Sequence, residues 1–194
     1  MSKLDTLKKH LKEGEVYRRA DLSKWSKSVD RHLAALVKDG TLQKLSQGLY
    51  HVPKPTVFGN SPPEETHLVR SFLKDNRFLL TSPNIYNSLG LGTTQLYNQR
   101  IVYNQKRHGE FKLGNRNFSF RKKFNFPKVL TEEFLVVDLV NNLDQLAEEK
   151  ETVLQNLSAK VQKMDPKKLS RAIADYGSTR AQKIFGPLIT PKQK

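Results

Sequence analysis

The sequence contains no cysteine, and this absence excludes disulfide bridges and metal sites built on thiolates. It also lacks an apolar run near the roughly 20 residues that a membrane-spanning helix requires. The first residues, MSKLDTLKKHLKEGE, carry charges throughout and therefore do not provide the apolar segment of a signal peptide. We expect a cytoplasmic protein without a membrane partner.

Acidic side chains are scarce in this chain. Its 194 residues include 19 aspartates and glutamates against 34 lysines and arginines, which gives a formal net charge of +15. The excess is uneven: 12 basic side chains stand against 6 acidic ones in 1–55, 12 against 4 in 56–128, and 10 against 9 in 129–194. The surplus favours a polyanionic partner that contacts the first two thirds of the chain.

The residues that most active sites need are also missing. There is no P-loop, no complete dinucleotide-binding glycine pattern, no G-x-S-x-G motif and no cysteine nucleophile. The middle third has too few carboxylates for a metal-dependent nuclease or nucleotidyltransferase, and the five histidines lack metal-ligand spacing. We expect no enzyme, no metal and no cofactor. The remaining enzymatic alternative is a metal-independent nuclease built on His108 and Glu110.

What the sequence does contain is a strong local pattern over residues 17–53. Val29, Leu33, Leu36 and Val37 recur at helical spacing and predict a helix from Lys27 to Asp39. Ser26 or Ser28 can cap the start of this helix, and Gly40 suits the left-handed position at its end.

The flanking segments predict a winged helix-turn-helix. Alternating residues after Gly40 indicate two strands, 41–45 and 48–52, joined by a turn at 46–48. Upstream, Tyr17-Arg18-Arg19 is expected to open another short helix. Helix, turn, helix and two-stranded ribbon follow each other in the order of that motif, whose second helix enters the major groove of DNA. The alternative is a basic amphipathic helix followed by an unrelated hairpin.

The predicted motif places its polar residues in three roles. Lys27, Ser28 and Arg31 are expected to face the groove, because the outer side of the helix is small or basic. We expect the helix starts and the last helical turn to hold phosphates, and the wing to reach the DNA backbone or the minor groove. The residues with those two roles are Tyr17, Arg18, Arg19 and Lys38 for phosphates, and Lys44 and Gln47 on the wing.

Residues beyond the motif predict a second domain. Four of the nine prolines lie in 53–63, which favours a linker over 56–63. Ser61 to Glu64 resembles a helix start with a capping box, and Ser82-Pro83 repeats such a start. We expect an α+β fold: a winged helix-turn-helix in 1–55, then an α+β domain in 64–187 with a small antiparallel sheet and a helical C-terminal part. Residues 188–194 are expected to form a disordered tail.

A second group of basic residues lies around the strands that we predict at 100–123. A hairpin turns at Gly114-Asn115, and its aromatic residues interleave with cations, as in surfaces that grip RNA or single strands. This hairpin is the basis of the alternative function, an RNA- or protein-binding module. The other reading has the aromatics filling the inner face of a sheet while the cations face water. The cations are Lys106, Arg107, His108, Lys112, Arg121, Lys122 and Lys123.

Beyond this region the pattern is helical. Thr131 is expected to cap an apolar helix in which Asp138, Asn141 and Asn142 lie close to the apolar side. Polar groups in that position need hydrogen-bond partners inside the protein.

The chain also resembles a known family. RADL at 19–22, LAALVKDGTL at 33–42 and GLYHVP at 48–53 are similar to the N-terminal winged helix of AbiEi-type antitoxins of type IV toxin–antitoxin systems. RFLLTSPN at 77–84, LGLGTTQLYN at 89–98 and KRHGEFKL at 106–113 are similar to a DUF6088-like branch of that group.

The resemblance implies a bacterial transcriptional autorepressor with antitoxin activity. Its N-terminal domain would bind double-stranded operator DNA at inverted repeats upstream of its own operon. Its C-terminal domain would counteract a nucleotidyltransferase-like toxin, the implied functional partner, without requiring a stable complex.

Overall fold

The computed structural model describes residues 3–189 and has a mixed α+β fold with small antiparallel sheets and C-terminal helices. The α+β class predicted from the sequence is confirmed at that level. The helices are α1 (Lys3–Lys8), α2 (Arg19–Leu22), α3 (Val29–Lys38), α4 (Glu65–Leu73), α5 (Glu132–Asn142), α6 (Lys150–Val161), α7 (Pro166–Tyr176) and α8 (Thr179–Ile189), with 3-10 turns at Pro83–Leu89 and Leu143–Gln145.

The strands form three sheets, in the orders β1-β3-β2, β4-β5 and β6-β7-β9-β8. By compactness the described chain divides into two units: the residues up to Phe78 with Glu110–Phe118, and Leu79–Gly109 with the residues from Ser119 onward. The strands are β1 (Val16–Arg18), β2 (Gln43–Ser46), β3 (Leu49–His51), β4 (Lys54–Thr56), β5 (Gly59–Ser61), β6 (Phe78–Thr81), β7 (Gln99–Asn104), β8 (Gly109–Leu113) and β9 (Arg116–Lys122).

Helix α3 lies where the apolar periodicity predicts it. Leu33 and Leu36 are buried in a core that also contains Leu7 and Leu22, and this packing fixes which side of the helix faces outward. Gly40 follows the helix at φ 79°, a conformation that glycine adopts without steric cost. Val37, expected in the buried stripe, is 37% exposed because it lies at the stripe's edge.

The helix predicted to open at Tyr17 starts two residues later in the structure. Tyr17 pairs with Tyr50, and Arg18 with Leu49, so both residues lie in β1 and the helix begins only at Arg19. A third strand therefore extends the predicted two-stranded ribbon. The segment has three strand residues and no alternation long enough to identify, which explains why the sequence pattern did not reveal it.

The proline-rich stretch expected to be a linker contains a hairpin. β4 and β5 pair antiparallel, with Lys54 opposite Ser61 and Thr56 opposite Gly59. Pro55 is tolerated because an edge strand leaves the amide position of one residue facing away from its partner. Glu64, rather than Ser61, caps α4: its carboxylate accepts hydrogen bonds from the Thr66 and His67 amides at 2.9 and 2.8 Å.

The observed division of the chain also differs from the expected boundary at 56–63. Helix α4 belongs to the first unit, where the His67 ring lies 3.4 Å from the Glu15 carboxylate. Arg116 donates to the Pro63 carbonyl at 3.1 Å and lies 3.4 Å from Glu65, and it brings the tip of the β8–β9 hairpin into the same unit. Long-range contacts, which composition does not reveal, decide this boundary.

The second unit is organised around α5. Thr131 caps this helix as predicted, and its hydroxyl accepts a hydrogen bond from the Phe134 amide at 3.2 Å. All residues from Phe134 to Val140 are buried, because α7, α8 and the 3-10 turn Pro83–Leu89 pack around the helix. Leu188 and Ile189, expected in the tail, end α8; residues 190–194 lie outside the described part of the chain.

Candidate nucleic-acid interface

The outward side of α3 combines basic and small residues. At 3.6 residues per turn, Arg31, Ala35 and Lys38 lie opposite Leu33 and Leu36, and all three are exposed. Alanine adds little bulk beyond the backbone, so another surface can approach the helix closely between the two cations. The outward side of α3 is therefore narrow between its two cations and carries positive charge.

A buried hydrogen bond stabilises the turn before α3. The Ser26 hydroxyl and Nδ1 of His32 lie 2.8 Å apart, and both residues are buried. Ser26 is thus occupied by a ring on α3 and does not cap the helix, while Ser28 occupies the capping position without a side-chain hydrogen bond. Lys27 lies exposed between the two serines, at the start of the outward side of α3.

An acidic residue lies next to that surface, and it is paired. Arg19 at the start of α2 donates two hydrogen bonds of 2.6 Å to the carboxylate of Asp30 in the first turn of α3. These bonds lower the pKa of Asp30 and raise that of Arg19. No sequence pattern predicts this pair, because the two residues are separated by eleven positions and belong to different elements.

Two other residues expected at phosphates have partners within the chain. Arg18 donates from Nε to Asp21 at 3.0 Å and is half-buried. The Tyr17 hydroxyl donates to the His10 carbonyl at 3.2 Å and accepts from the Lys12 amide at 3.0 Å. Burial raises the pKa of Tyr17, and its ring lies edge-on to Trp25. Tyr17 therefore packs against the hydrophobic core of the first unit.

The hairpin of β2 and β3 presents the two residues expected on the wing. Lys44 and Gln47 are exposed, whereas Leu45 between them and Leu49 at the start of β3 are buried. The turn uses Gly48 at φ 70°. The Leu45 carbonyl accepts a hydrogen bond from the Gly114 amide at 2.8 Å, so the tip of the β8–β9 hairpin supports β2 within the first unit.

The structure thus separates the expected DNA-contacting residues into two groups. Lys27, Arg31, Lys38 and Lys44 are exposed and have no ion-pair partner among residues 3–189. Arg18, Arg19 and Tyr17 are engaged with other parts of the first unit. Among the expected DNA-contacting residues, the cations without an ion-pair partner in this part of the chain therefore lie just before α3, on α3 and on the β2–β3 hairpin.

The residues of the second predicted basic surface are divided between the two units. Lys112 belongs to the first unit, whereas Lys106, Arg107, His108 and Lys122 belong to the second and are exposed. Arg121 donates to the side-chain oxygens of Asn142 and Gln145.

Lys123 does not lie with the exposed cations but contacts a buried polar network. Its ammonium group lies 3.7 Å from the Asp138 carboxylate and 4.4 Å from the centre of the Tyr103 ring. Burial lowers the pKa of Lys123, although the charge of Asp138 opposes this shift. Lys123 therefore serves the interior of the second unit, which agrees with the reading in which the aromatic side chains fill the sheet.

Asp138 is the centre of that network. Its two carboxylate oxygens accept hydrogen bonds of 2.7 Å from the hydroxyls of Tyr86 and Tyr103, and Asn142 donates to both hydroxyls. Burial and the adjacent carboxylate raise the pKa of both tyrosines, which stay protonated. The expectation that Asp138 and Asn142 need internal partners is confirmed. Asn141 also bonds internally, to Tyr176 and Ser178.

Residues 3–189 contain no group of three or more histidine, cysteine, aspartate or glutamate side chains placed to hold a metal ion. His108 is exposed. None of the helices in this part of the chain combines the length and apolar character needed to cross a bilayer.

No protein-family model and no curated protein matches the chain. Among solved structures, it is similar to the crystal structure of the RV2827C protein from Mycobacterium tuberculosis. The TM-score is 0.59 and the sequence identity 16%, over 96% of this chain and 74% of that chain. At this identity the likeness concerns the fold alone.

Proposed function

We propose that the protein is a non-enzymatic DNA-binding regulator whose first unit contains a winged helix-turn-helix. In this assignment α2 and α3 are the two helices of the motif, and the β2–β3 hairpin is its wing. Support comes from the order of these elements and from the buried contacts that hold them together, including the Ser26–His32 pair.

The observation that carries the proposal is the outward face of α3. Arg31 and Lys38 are exposed there, one on either side of Ala35, and neither has an ion-pair partner among the described residues. Arg31 can donate two hydrogen bonds to a guanine edge, while Lys38 and Lys44 can neutralise phosphates. The neighbouring carboxylate, Asp30, is neutralised by Arg19 and so repels DNA less than a free carboxylate would.

We further propose, from the family resemblance, that the regulated operon is its own and that the second unit counteracts a nucleotidyltransferase-like toxin. A gene for such a toxin is then expected next to the gene for this protein. A neighbouring gene of another kind contradicts the antitoxin part and leaves the DNA-binding part intact.

The DNA-binding proposal is tested with labelled duplexes tiled across the region upstream of the gene. The full chain is expected to bind one duplex in preference to the others. Arg31→Ala is expected to lose about 1–3 kcal/mol of binding free energy on that duplex and much of its sequence preference. Fluorescence anisotropy measures both quantities.

Lys167→Ala provides the matched control, since Lys167 is an exposed cation at the start of α7 in the second unit. Its binding is expected to equal that of the unmodified protein. Equal sequence preference in the Arg31→Ala variant and the unmodified protein would remove Arg31 from base recognition. Absence of binding to any duplex would overturn the proposed function.

A further inference from the structure

The turn of the β4–β5 hairpin exposes two large apolar side chains. Val57 is 94% exposed and Phe58 is 98% exposed. The strands beside them are exposed as well, from Lys54 to Asn60. Phenylalanine is usually buried, because exposing its ring to water forgoes the free energy of burial. Val57 and Phe58 are neighbours at the end of the hairpin and form an apolar patch, which is the kind of surface that binding partners cover.

The turn holds these side chains in place. Thr56 uses its hydroxyl twice: it donates to the Gly59 carbonyl at 2.6 Å and accepts from the Phe58 amide at 3.3 Å. Gly59 has φ 97°, which a side chain at that position would make unfavourable. The exposed ring is therefore carried on a closed, hydrogen-bonded turn with a defined direction.

The charge of the sequence that contains the hairpin indicates what covers it. Between Gly40 and Pro63 the sequence has no acidic residue, while Lys44 and Lys54 supply positive charge. A partner that combines negative charge outside with flat apolar surfaces inside fits this distribution. Double-stranded DNA has both properties, since phosphates line the grooves and stacked bases lie between them. Proteins that bind the minor groove insert side chains such as phenylalanine between base steps and kink the duplex.

The position of the hairpin in the chain favours the same partner. β4 begins at Lys54, three residues after β3 ends at His51, so the hairpin directly follows the ribbon assigned to the wing. Both hairpins belong to the first unit. The hairpin thus belongs to the same unit as the proposed DNA-contacting elements and lies next to one of them in the chain.

We propose that the β4–β5 hairpin enters the minor groove of the bound duplex and inserts Phe58 as a wedge between two base pairs. This inference rests on the proposed DNA binding and adds a DNA-bending step to it. Lys54 at the base of the hairpin contacts a flanking phosphate. The expected consequence is a kinked duplex, most easily formed at a flexible pyrimidine–purine step.

The experiment measures bending and unstacking separately from affinity. The full chain is added to the preferred upstream duplex, or to a mixed-sequence duplex, labelled at its two ends for energy transfer. A second copy of the duplex carries 2-aminopurine at successive positions. Binding is expected to increase energy transfer, and one 2-aminopurine position is expected to brighten as its base loses a stacking neighbour.

Phe58→Ala removes the wedge and nothing else, because the side chain is exposed and the fold does not depend on it. This variant is expected to bind between about 5-fold and 100-fold more weakly and to lose both the bend and the 2-aminopurine signal. Phe58→Trp restores an insertable ring and is expected to regain both signals.

Phe124→Ala is the matched control, since Phe124 is 89% exposed in the second unit. It is expected to behave like the unmodified protein. If Phe58→Ala bends and binds DNA as well as the unmodified protein does, while Arg31→Ala binds weakly, the wedge is overturned and DNA binding stands; the apolar tip then belongs to a protein contact. If the unmodified protein binds no duplex, both the proposed function and the proposed Phe58 wedge are wrong.

Discussion

In the proposed function, the Arg19–Asp30 pair affects DNA binding without contacting DNA. A free carboxylate in the first turn of α3 would repel the phosphates of a duplex docked on that helix. The two short hydrogen bonds from Arg19 neutralise it. The pair is exposed, so its contribution to folding is small and its contribution to the surface potential is the more important one.

The first prediction separates this masking role from a direct phosphate contact. Arg19→Ala is expected to weaken duplex binding several-fold, because Asp30 regains its full repulsion. In the double variant Arg19→Ala/Asp30→Ala both charges are gone, and binding is expected to return close to that of the unmodified protein. Anisotropy titrations at one salt concentration measure all three proteins.

The opposite result has a clear meaning. If Arg19 grips a phosphate itself, the double variant stays as weak as the single one. Urea midpoints, followed by fluorescence of Trp25 in the first unit, provide the control for folding. They are expected to change little in either variant, since the ion pair is exposed.

At the scale of elements, Asp138 connects α5 to the 3-10 turn that contains Tyr86 and to strand β7, which contains Tyr103. A buried carboxylate is stable only where donors replace the water that it has lost. Here two hydroxyls and an ammonium group do so, and Asn142 satisfies the tyrosine oxygens in turn. The network fixes how α5 aligns with the 3-10 turn and with β7. Apolar packing alone would determine this alignment less specifically.

We therefore predict that Asp138→Ala destabilises the protein by roughly 2–4 kcal/mol, since two buried hydroxyls lose their acceptor. The partial exposure of Lys123 keeps this figure below that for a fully buried ion pair. In a double variant with Tyr103→Phe, the cost is expected to be smaller than the sum of the two single costs, because both changes remove one shared hydrogen bond. Urea unfolding followed by circular dichroism measures each free energy.

Asp144→Ala is the control for that measurement. Asp144 is an exposed carboxylate paired with Lys150 and Arg180, and its loss is expected to cost at most about 1 kcal/mol. Equal losses for Asp138→Ala and Asp144→Ala would show that the buried network does not stabilise the unit.

The elements that the sequence predicted best are those with a local physical signature. The apolar spacing identified α3, and the cap at Thr131 identified the start of α5, because both signals arise from residues within one or two turns. β1 was missed, since a three-residue strand is defined by its pairing with β3 and not by its own pattern. The prolines suggested a linker where β4 and β5 pair, because composition does not report cross-strand hydrogen bonds.

The same distinction applies to the candidate interface. Which residues of α3 face outward followed from the helical period, and Arg31 and Lys38 are exposed as predicted. Which cations remain available did not follow, since Arg18 and Arg19 are paired with aspartates that only the fold brings near. The sequence pattern did not distinguish Phe58, because a sequence does not show whether an aromatic side chain is buried or exposed.

At the scale of the whole molecule, the proposed DNA binding has two possible sources: the net charge of +15, or one defined surface. A uniformly basic protein binds any polyanion weakly, and every cation contributes alike. A defined interface neutralises a fixed set of phosphates, and the logarithm of the binding constant then falls with the logarithm of salt by about 0.9 for each phosphate. The slope therefore counts the cations that touch the backbone.

Two double variants that remove the same charge distinguish these cases. Lys38→Gln/Lys44→Gln changes the two exposed cations assigned to phosphates, and we expect its salt slope to flatten by about 1.8. Lys167→Gln/Lys168→Gln removes two exposed lysines at the start of α7 and is expected to keep the slope of the unmodified protein. Titrations of the full chain with one duplex across a salt series give both slopes. If the salt slope flattens equally in the two variants, binding depends on net charge, and α3 and the β2–β3 hairpin do not form a specific interface.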